Sequence, residues 1–499
     1  MATSEAAGGE ALLRYSSAAG RWVLAATVLG SMIASIDATV VGIALPALGR
    51  SFHIGLASLQ WVVTAYTVTL AGLLLFAGAL GDRYGRRRVF LVGVVWFAVA
   101  SLLCALAPAP GALIAARVLQ GVGAALLTPG SLAILEASFD PADRSRAIGA
   151  WSGLSGVGTA IGPFLGGWLV EAASWRLIFL INLPVAAAVV ALSWRHVPES
   201  RDPAATGRVD VTGGALVTFG LMGVTYALIE GPSSGWASPA VLAAFHGGAI
   251  TLAAFLLWEQ RSPQPLVPLS LFSSAQFDAA NVVTFLVYGA LGGALFLLPI
   301  ELQQVCGYTP LQAGTALLPV TVITLALSAR SGAVATRIGP RLQMSLGPIT
   351  VGAGFALFTQ VTASGDYMTQ VLPAVTVLGL GLAITVAPLT ATVLAAAPAR
   401  RAGTASALNN DVARAASLIA VATFPAATGI TGDAYLHPER FSAGFHSAAV
   451  IACALCLFGG LLAATAIRNP RRAPAASARP VRSHCAIDAP PPQSPDRSP

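Results

Sequence analysis

Two ionisable residues stand inside long apolar runs of the sequence, where a charge is costly. Asp37 lies in the run IASIDATVVGIALP, and Arg117 lies in the run ALIAARVLQGVGAA. An ionisable side chain at membrane depth needs a partner or a water-filled cavity. A carboxylate in such a place can bind and release a proton as its surroundings change. The two residues therefore suggest a proton-carrying site.

The depths of Asp37 and Arg117 in their predicted helices allow the two side chains to meet. At about 1.5 Å per residue, Asp37 lies roughly 13 Å below the outer end of its helix, and Arg117 lies about 9 Å below the outer end of its own. Two alternatives stay open. Asp37 can hydrogen bond to backbone, and Arg117 can snorkel to the membrane interface.

A second charged pair lies on a later apolar segment. Asp411 and Arg414 are three residues apart, so they share one face of a helix and can neutralise each other. A local ion pair near the interface and a pair that faces a cavity both fit this spacing. Glu230, Glu301 and Asp366 lie at predicted helix ends or in loops, and we expect them to be solvated.

The composition identifies the class of protein that positions these residues. Of the 499 residues, 56% are hydrophobic and 10% are charged, whereas soluble domains have roughly 25% charged residues. The mean hydropathy is +0.75, and apolar runs of about 20 residues, each long enough to span a bilayer as a helix, recur along the chain. The chain is therefore predicted to be an integral membrane protein with many spans.

The basic residues exclude several functions, because all 28 of them are arginine. The absence of lysine excludes a Walker-type phosphate loop and any Schiff-base lysine. No residues have the spacing of a metal cluster or of a nucleophile with its base. We therefore expect a protein that is not an enzyme and that uses no cofactor and no metal. The net charge of +7 follows from membrane topology, and nucleic acid binding has no support.

Fourteen apolar runs, bounded by charges, proline and glycine, predict membrane-spanning helices. The first six are 22–46, 57–79, 89–107, 112–134, 148–170 and 177–194. The other eight are 212–230, 239–258, 279–300, 313–334, 343–361, 369–395, 402–427 and 444–467. The even number places both chain termini on the same side of the membrane.

The arginine distribution predicts which side that is. With the N-terminus inside, most arginines fall in inside segments, whereas Arg50, Arg176 and Arg440 fall outside, and Arg117 and Arg414 lie within helices. Positively charged loops stay in the cytoplasm. We therefore predict a multi-pass protein of the cytoplasmic membrane with both termini in the cytoplasm.

The predicted spans divide the chain into six segments. These are a cytoplasmic N-terminal segment (1–21), a six-helix bundle (22–194), a cytoplasmic linker (195–211), two extra helices (212–258), a second six-helix bundle (277–467) and a cytoplasmic tail (468–499). The tail is rich in Pro, Ala, Ser and Arg and has no apolar period, which predicts disorder.

The inside loop after the second predicted helix carries a dense motif of glycine and charge, GALGDRYGRRR at 78–88. Its candidate residues are Gly78, Gly81, Asp82, Arg83, Gly85, Arg86 and Arg87. Glycines permit a tight turn, and Asp82 can pair with an arginine or cap a helix. Such a contact can latch one conformation against another. A basic loop that only fixes topology is the alternative.

The fifth predicted helix has a stripe of small residues. Gly158, Gly162 and Gly166 share one helical face, which allows close contact with another helix. Pro163 removes a backbone hydrogen bond and permits a bend, and Gly167 follows the stripe. Close helix packing alone is an alternative explanation of this pattern.

These motifs resemble those of one protein family. The loop spacing GxLxDRxGRR resembles the loop signature of the major facilitator superfamily, and GxxxGPxxGG at 158–167 resembles its antiporter motif. The segment around Asp37 resembles the LDxTxVNxALP signature of the fourteen-helix drug/proton antiporter branch (EmrB/QacA-like), with Gly42 in place of the asparagine. The segments 175–184 and 303–314 resemble the same branch.

The resemblance implies both a fold and a function. It implies an all-helical membrane protein with two six-helix bundles and two extra helices between them, in which Arg117 takes part in proton handling. It further implies a proton-coupled antiporter that exports a small amphipathic drug or antibiotic, with protons and the lipid bilayer as its other partners. An importer of the same superfamily and a transport-inactive sensor or scaffold are the alternatives.

Overall fold

The computed structural model describes residues 12–202, 209–263, 265–398 and 401–469. Within these ranges the chain forms fourteen long helices. In chain order they are α1 Ala18–Phe52, α2 Leu56–Tyr84, α3 Arg86–Leu106, α4 Pro110–Ser138, α5 Pro141–Ala172, α6 Leu177–His196, α7 Val211–Ser234, α8 Pro239–Arg261, α9 Ala275–Val305, α10 Pro310–Ile338, α11 Pro340–Phe358, α12 Tyr367–Ala396, α13 Ala402–Ala427 and α14 Pro438–Ala466. Each corresponds to one predicted span, and the predicted all-helical membrane fold is confirmed.

Three of the predicted segments fall partly or almost wholly outside the described residues. Positions 1–11 of the N-terminal segment, 203–208 of the linker and 470–499 of the tail are not among them. Twelve helices of the described ranges are long and apolar enough to cross a membrane. The other two are α11 and α13, and α13 carries Asp411 and Arg414.

The start of α5 differs most from its predicted boundary, since the helix begins at Pro141 and not at 148. Asp140 caps it, and the Asp140 carboxylate accepts a hydrogen bond from the Ala142 amide at 2.9 Å. Proline suits the first helical position because the N–H that it lacks has no helical partner there. Arg144 and Arg146, whose charges suggested a loop, therefore lie on a helix that extends beyond the apolar run.

The helices pack as two groups of six, α1–α6 and α9–α14. Between them in sequence, α7 and α8 pack chiefly on each other, and α7 also contacts α2 and α13. The extra pair therefore contacts both groups chiefly through α7. This packing leaves the interface between the two groups to be formed mainly by α1, α2, α5, α9, α10 and α13.

The two groups of helices touch on one side of the molecule. We call the side that holds the α2–α3 turn at Gly85 the loop-motif side. The two groups touch on the opposite side, where Gln60 of α2 donates to the Val421 carbonyl of α13 at 2.7 Å and Gln303 of α9 donates to the Ile43 carbonyl of α1 at 2.9 Å. An apolar cluster with members from both groups surrounds these bonds. The opposite side is therefore sealed by direct contact.

On the loop-motif side the two groups separate around a cavity of about 1100 Å³. Its wall includes Thr39, Tyr66 and Trp151 from the first group and Asn410 and Arg414 from the second. Hydroxyl groups, aromatic rings, an amide and a guanidinium alternate there with apolar side chains. The structure therefore shows the conformation that is open to the loop-motif side.

Candidate functional site

Asp37 and Arg117 meet in the interior of the first group of helices. Arg117 Nη1 lies 2.5 Å from Asp37 Oδ2, and Arg117 Nε donates to the Val62 carbonyl at 3.0 Å. The exposed fraction is 0% for Asp37 and 1% for Arg117. Arg117 therefore does not snorkel to the interface, and the Asp37 carboxylate pairs with a side chain and not with the backbone.

Three further polar side chains complete this cluster. Gln120 Nε2 donates to Asp37 Oδ1 at 2.7 Å and to Ser101 Oγ at 2.8 Å, and Gln120 Oε1 accepts from Arg117 Nη1 at 2.5 Å. Asn182 Nδ2 lies 3.3 Å from both Asp37 Oδ1 and Ser101 Oγ. All three are buried. The cluster thus joins α1, α2, α3, α4 and α6 through hydrogen bonds.

Two aromatic rings enclose the guanidinium of Arg117. The Tyr66 ring centroid lies 4.3 Å from Arg117 Cζ, and the Phe179 centroid lies 5.9 Å away. Tyr66 belongs to the apolar core of the loop-motif side, whereas Phe179 belongs to the core of the opposite side. The cation is therefore placed between the two apolar cores, where aromatic faces attract it and water has little access.

The donors around Asp37 fit its ionised form. An ionised carboxylate only accepts hydrogen bonds, and Arg117, Gln120 and Asn182 all donate to it. Protonation of Asp37 would leave Arg117 as an uncompensated charge in a dry site, which is strongly unfavourable. Proton binding and the observed arrangement therefore compete with each other.

The sequence motif at 78–88 forms contacts with itself and with the segment that follows α6. Asp82 Oδ1 lies 2.8 Å from Arg86 Nη2, and the Arg87 amide donates to Glu199 Oε1 at 3.1 Å. Gly85 has φ of 116°, a conformation that favours glycine. Arg83 lies on the cavity wall with Gly78, Gly81 and Asp82. In this open conformation the Asp82 carboxylate is paired within its own group of helices, and its latch role stays a prediction.

The small residues of α5 form two different contacts. Gly158, Gly162 and Gly166 face α1, where a Cβ on Gly166 would lie 3.0 Å from the Cα of Val40. Gly167 instead faces α10 of the other group, and a side chain there would collide with the Pro310 carbonyl.

The same contact continues from α5 into α10. The Pro163 carbonyl packs against Gly314, and the Leu311 amide donates to Glu171 Oε2 at 3.0 Å. The stripe therefore holds α5 on α1, and the residues beside it help to close the opposite side.

Asp411 and Arg414 do not form the local ion pair that was one of two predictions for them. Asp411 Oδ1 and Arg414 Nε are buried and have no hydrogen-bond partner within the described ranges. Helical spacing places the two residues on one face, but the Arg414 side chain lies on the cavity wall. The cavity-facing alternative is thus retained for Arg414.

Glu301 is buried, so the expectation that it is solvated was wrong. Its exposed fraction is 0%, and Glu301 Oε1 accepts a hydrogen bond from Ser442 Oγ of α14 at 2.7 Å. The C-terminal end of α9 is covered because α14 packs over it. A sequence position near a helix end does not reveal such a cover. Glu230 accepts from Trp61 Nε1 at 2.9 Å, which ties α7 to α2.

Several residues of the cluster were missed by sequence reasoning. Ser101, Tyr66 and Phe179 lie in apolar runs as ordinary helix residues, and nothing in their spacing marks them. Gln120 and Asn182 carried a signal, since Gln120 follows Arg117 by one helical turn and Asn182 is a lone amide in an apolar run.

Comparison with known proteins agrees with this architecture. The family model for the Major Facilitator Superfamily matches residues 27–422. A methylenomycin A resistance protein of Bacillus subtilis (strain 168) is 36% identical over 408 residues, which are 81% of this chain and 87% of that protein. A tetracenomycin C resistance and export protein of Streptomyces glaucescens is 36% identical over 389 residues, which are 78% of this chain and 72% of that protein.

A solved structure supports the fold alone. It is a bacterial homologue of the human lysosomal transporter Spinster, in an inward-facing and unoccupied conformation, with a TM-score of 0.62 and 15% sequence identity. The match covers 90% of this chain and 97% of that one. The family match, the relatives and the shared fold lead to one conclusion: the chain is a multi-pass membrane protein that belongs to the major facilitator superfamily.

Proposed function

We propose that the chain is a proton-coupled antiporter that exports a small amphipathic drug or antibiotic across the cytoplasmic membrane. The two relatives are named for resistance to methylenomycin A and for resistance to and export of tetracenomycin C, and these names support drug export. The protein moves its substrate without changing it chemically, so it is not an enzyme. Its partners are the substrate, protons and the lipid bilayer, and it has no nucleic acid partner.

The loop-motif side is the cytoplasmic side in this proposal. Arginine-rich loops stay in the cytoplasm, and Arg83, Arg86, Arg87 and Arg88 all lie at the α2–α3 turn. The even number of long helices puts the described N-terminal and C-terminal ends of the chain on this side as well. The cavity in the present conformation therefore opens to the cytoplasm, where an exporter must load its substrate.

The buried Asp37–Arg117 pair is the observation that carries proton coupling. In the observed state, Arg117 lies 2.5 Å from the Asp37 carboxylate and balances a negative charge there. A proton that arrives on Asp37 removes this balance, and Arg117 must then find other acceptors. Because the cluster joins five helices of the first group, that rearrangement biases the group toward one of its two positions. Release of the proton restores the observed state.

The two sides of the molecule would alternate in closure during such a cycle. Gly167 and Pro163 support the closed opposite side through α10. In this proposal Asp82 acts as a latch when the cytoplasmic side closes. Rocking of two helix groups about a central site is the usual motion of transporters with two related halves. The cavity wall, which alternates polar and apolar groups, fits an amphipathic compound.

Accumulation of compounds in cells tests this function. An efflux-deficient bacterium that expresses the chain should accumulate less of at least one compound in a panel of methylenomycin A, tetracenomycin C and cationic dyes. Asp37→Asn and an uncoupler should each restore accumulation. Higher accumulation in the cells with the native chain would instead identify an importer, and export that survives both controls would reject proton coupling.

A further inference from the structure

Tyr66 occupies the boundary between the cavity and the buried cluster. Its ring lies 4.3 Å from the Arg117 guanidinium, and Tyr66 is also part of the cavity wall. Asp37, Arg117 and Gln120, which are all described by the structure, are not among the wall residues. Tyr66 is therefore a wall residue that stands between the cavity and the Arg117 guanidinium, beside Ser35 and Ala38 of α1.

The hydroxyl of Tyr66 has an unused hydrogen-bonding capacity. The side chain is 3% exposed, and its oxygen has no hydrogen-bond partner among the described residues. A phenol hydroxyl both donates and accepts, and a buried one that is left unpaired is unfavourable. The oxygen is covered in the observed state, so a molecule in the cavity must shift the ring before its carbonyl, hydroxyl or amine group can bond to Tyr66 and relieve this cost.

The backbone of α4 fixes the place of Tyr66. A Cβ on Gly121 would lie 2.6 Å from the Tyr66 carbonyl, so α2 and α4 approach closely at this point. Gly121 is one helical turn beyond Arg117 and lies on the same face of α4. The same close approach that sets the Tyr66 backbone therefore places its ring over the guanidinium.

We propose that Tyr66 is the contact through which a substrate in the cavity acts on the Asp37–Arg117 pair. This inference rests on the proposed proton coupling. With the cavity empty, the ring separates Asp37 from cavity water. A bound compound with a polar group engages the hydroxyl, moves the ring off Arg117 and gives the proton a route to or from Asp37. Tyr66 is thus a positioning residue that makes proton movement depend on substrate.

The native Cys104 allows the separation of the Asp37 site from cavity water to be measured without any substrate. Cys104 is buried, and its thiol lies 3.6 Å from Gln120 Oε1 inside the cluster. Thiol reactivity follows exposure, so replacement of the ring in Tyr66→Leu should raise the rate of Cys104 alkylation by iodoacetamide about tenfold or more. The rate is read by mass spectrometry of the peptide that contains Cys104, in native membranes.

Phe179→Leu is the matched control. Phe179 also contacts the Arg117 guanidinium but is not part of the cavity wall. Its replacement opens no path from the cavity, so it should raise the Cys104 alkylation rate far less than Tyr66→Leu does. An alkylation rate in Tyr66→Leu equal to the native rate, or an equally raised rate in Phe179→Leu, would overturn the proposal.

Tyr66→Phe keeps the ring and removes only the hydroxyl, so it provides a second test if Tyr66→Leu does not reach the membrane. For the compound that the native chain exports best in the accumulation panel, the KM of Tyr66→Phe should be about 3- to 10-fold higher than that of the native chain. This is the loss of affinity expected when one neutral hydrogen bond is removed. An unchanged KM would contradict the role of the hydroxyl. Export by the native chain without a proton gradient would reject the proposed function, whereas Cys104 alkylation reports on Tyr66 regardless of coupling.

Discussion

The two groups of helices handle their buried charges in opposite ways. In the first, Asp37 and Arg117 meet at 2.5 Å, and Gln120 bonds to both. In the second, Asp411 and Arg414 form no ion pair, and each keeps a buried atom without a hydrogen-bond partner among the residues that the structure describes. A satisfied buried pair stays in place until a proton removes its balance, whereas an unsatisfied charge on a cavity wall is available to a bound molecule. We infer that the first group handles the proton and that Arg414 of the second group joins Tyr66 in contacting the substrate.

The largest effect should follow from breaking the satisfied pair. Arg117→Leu leaves the Asp37 carboxylate buried and uncompensated, which should lower the free energy of unfolding by about 3–5 kcal/mol. Thermal unfolding of the purified protein in detergent measures the change. The double variant with Asp37→Asn removes both charges and should recover part of the loss. No recovery in the double variant would contradict the view that the pair is held by its mutual charge.

The corresponding change in the second group should affect binding and not stability. Arg414→Leu removes no side-chain hydrogen bond that is seen in the described part of the chain, so the free energy of unfolding should change by less than about 1 kcal/mol. The apparent KM of an exported compound should nevertheless change, by about tenfold for one that pairs its own acceptor with the guanidinium. A loss of stability as large as that of Arg117→Leu would remove the contrast between the two groups.

The smallest effect on transport should come from the edge of the cluster. Asn182→Ala removes one amide that lies 3.3 Å from both Asp37 and Ser101, while the ion pair stays intact. Loss of a hydrogen bond of this kind costs about 0.5–1.5 kcal/mol. Thermal unfolding should show a small decrease, and drug export should persist. Complete loss of export in Asn182→Ala would show that Asn182 has a role beyond supporting Asp37.

Much of the fold could be predicted from the sequence, because each span is a long apolar run bounded by charge, proline or glycine. The depth of Asp37 and Arg117 in their helices indicated that they could meet. The start of α5 was misplaced because Arg144 and Arg146 look like loop residues, although Asp140 and Pro141 form a strong helix start.

The remaining features depend on tertiary contacts that one helix cannot reveal. Periodicity places Asp411 and Arg414 on one face, but it does not say that Arg414 extends along a cavity wall. Burial of Glu301 comes from α14, which is far away in sequence. The place of Tyr66 depends on the close approach of α2 and α4 at Gly121. Uncharged residues in apolar runs therefore become candidates only after the helices are assembled.

Drug-driven proton movement in liposomes tests the central claim most directly. The purified protein is reconstituted with a pH-sensitive dye inside the vesicles, and a compound that the native chain exports is added on one side. The account predicts that the compound drives protons in the opposite direction through the native protein and that Asp37→Asn moves none, although it still binds the compound. Equal proton movement in Asp37→Asn would contradict the assignment of the proton to Asp37.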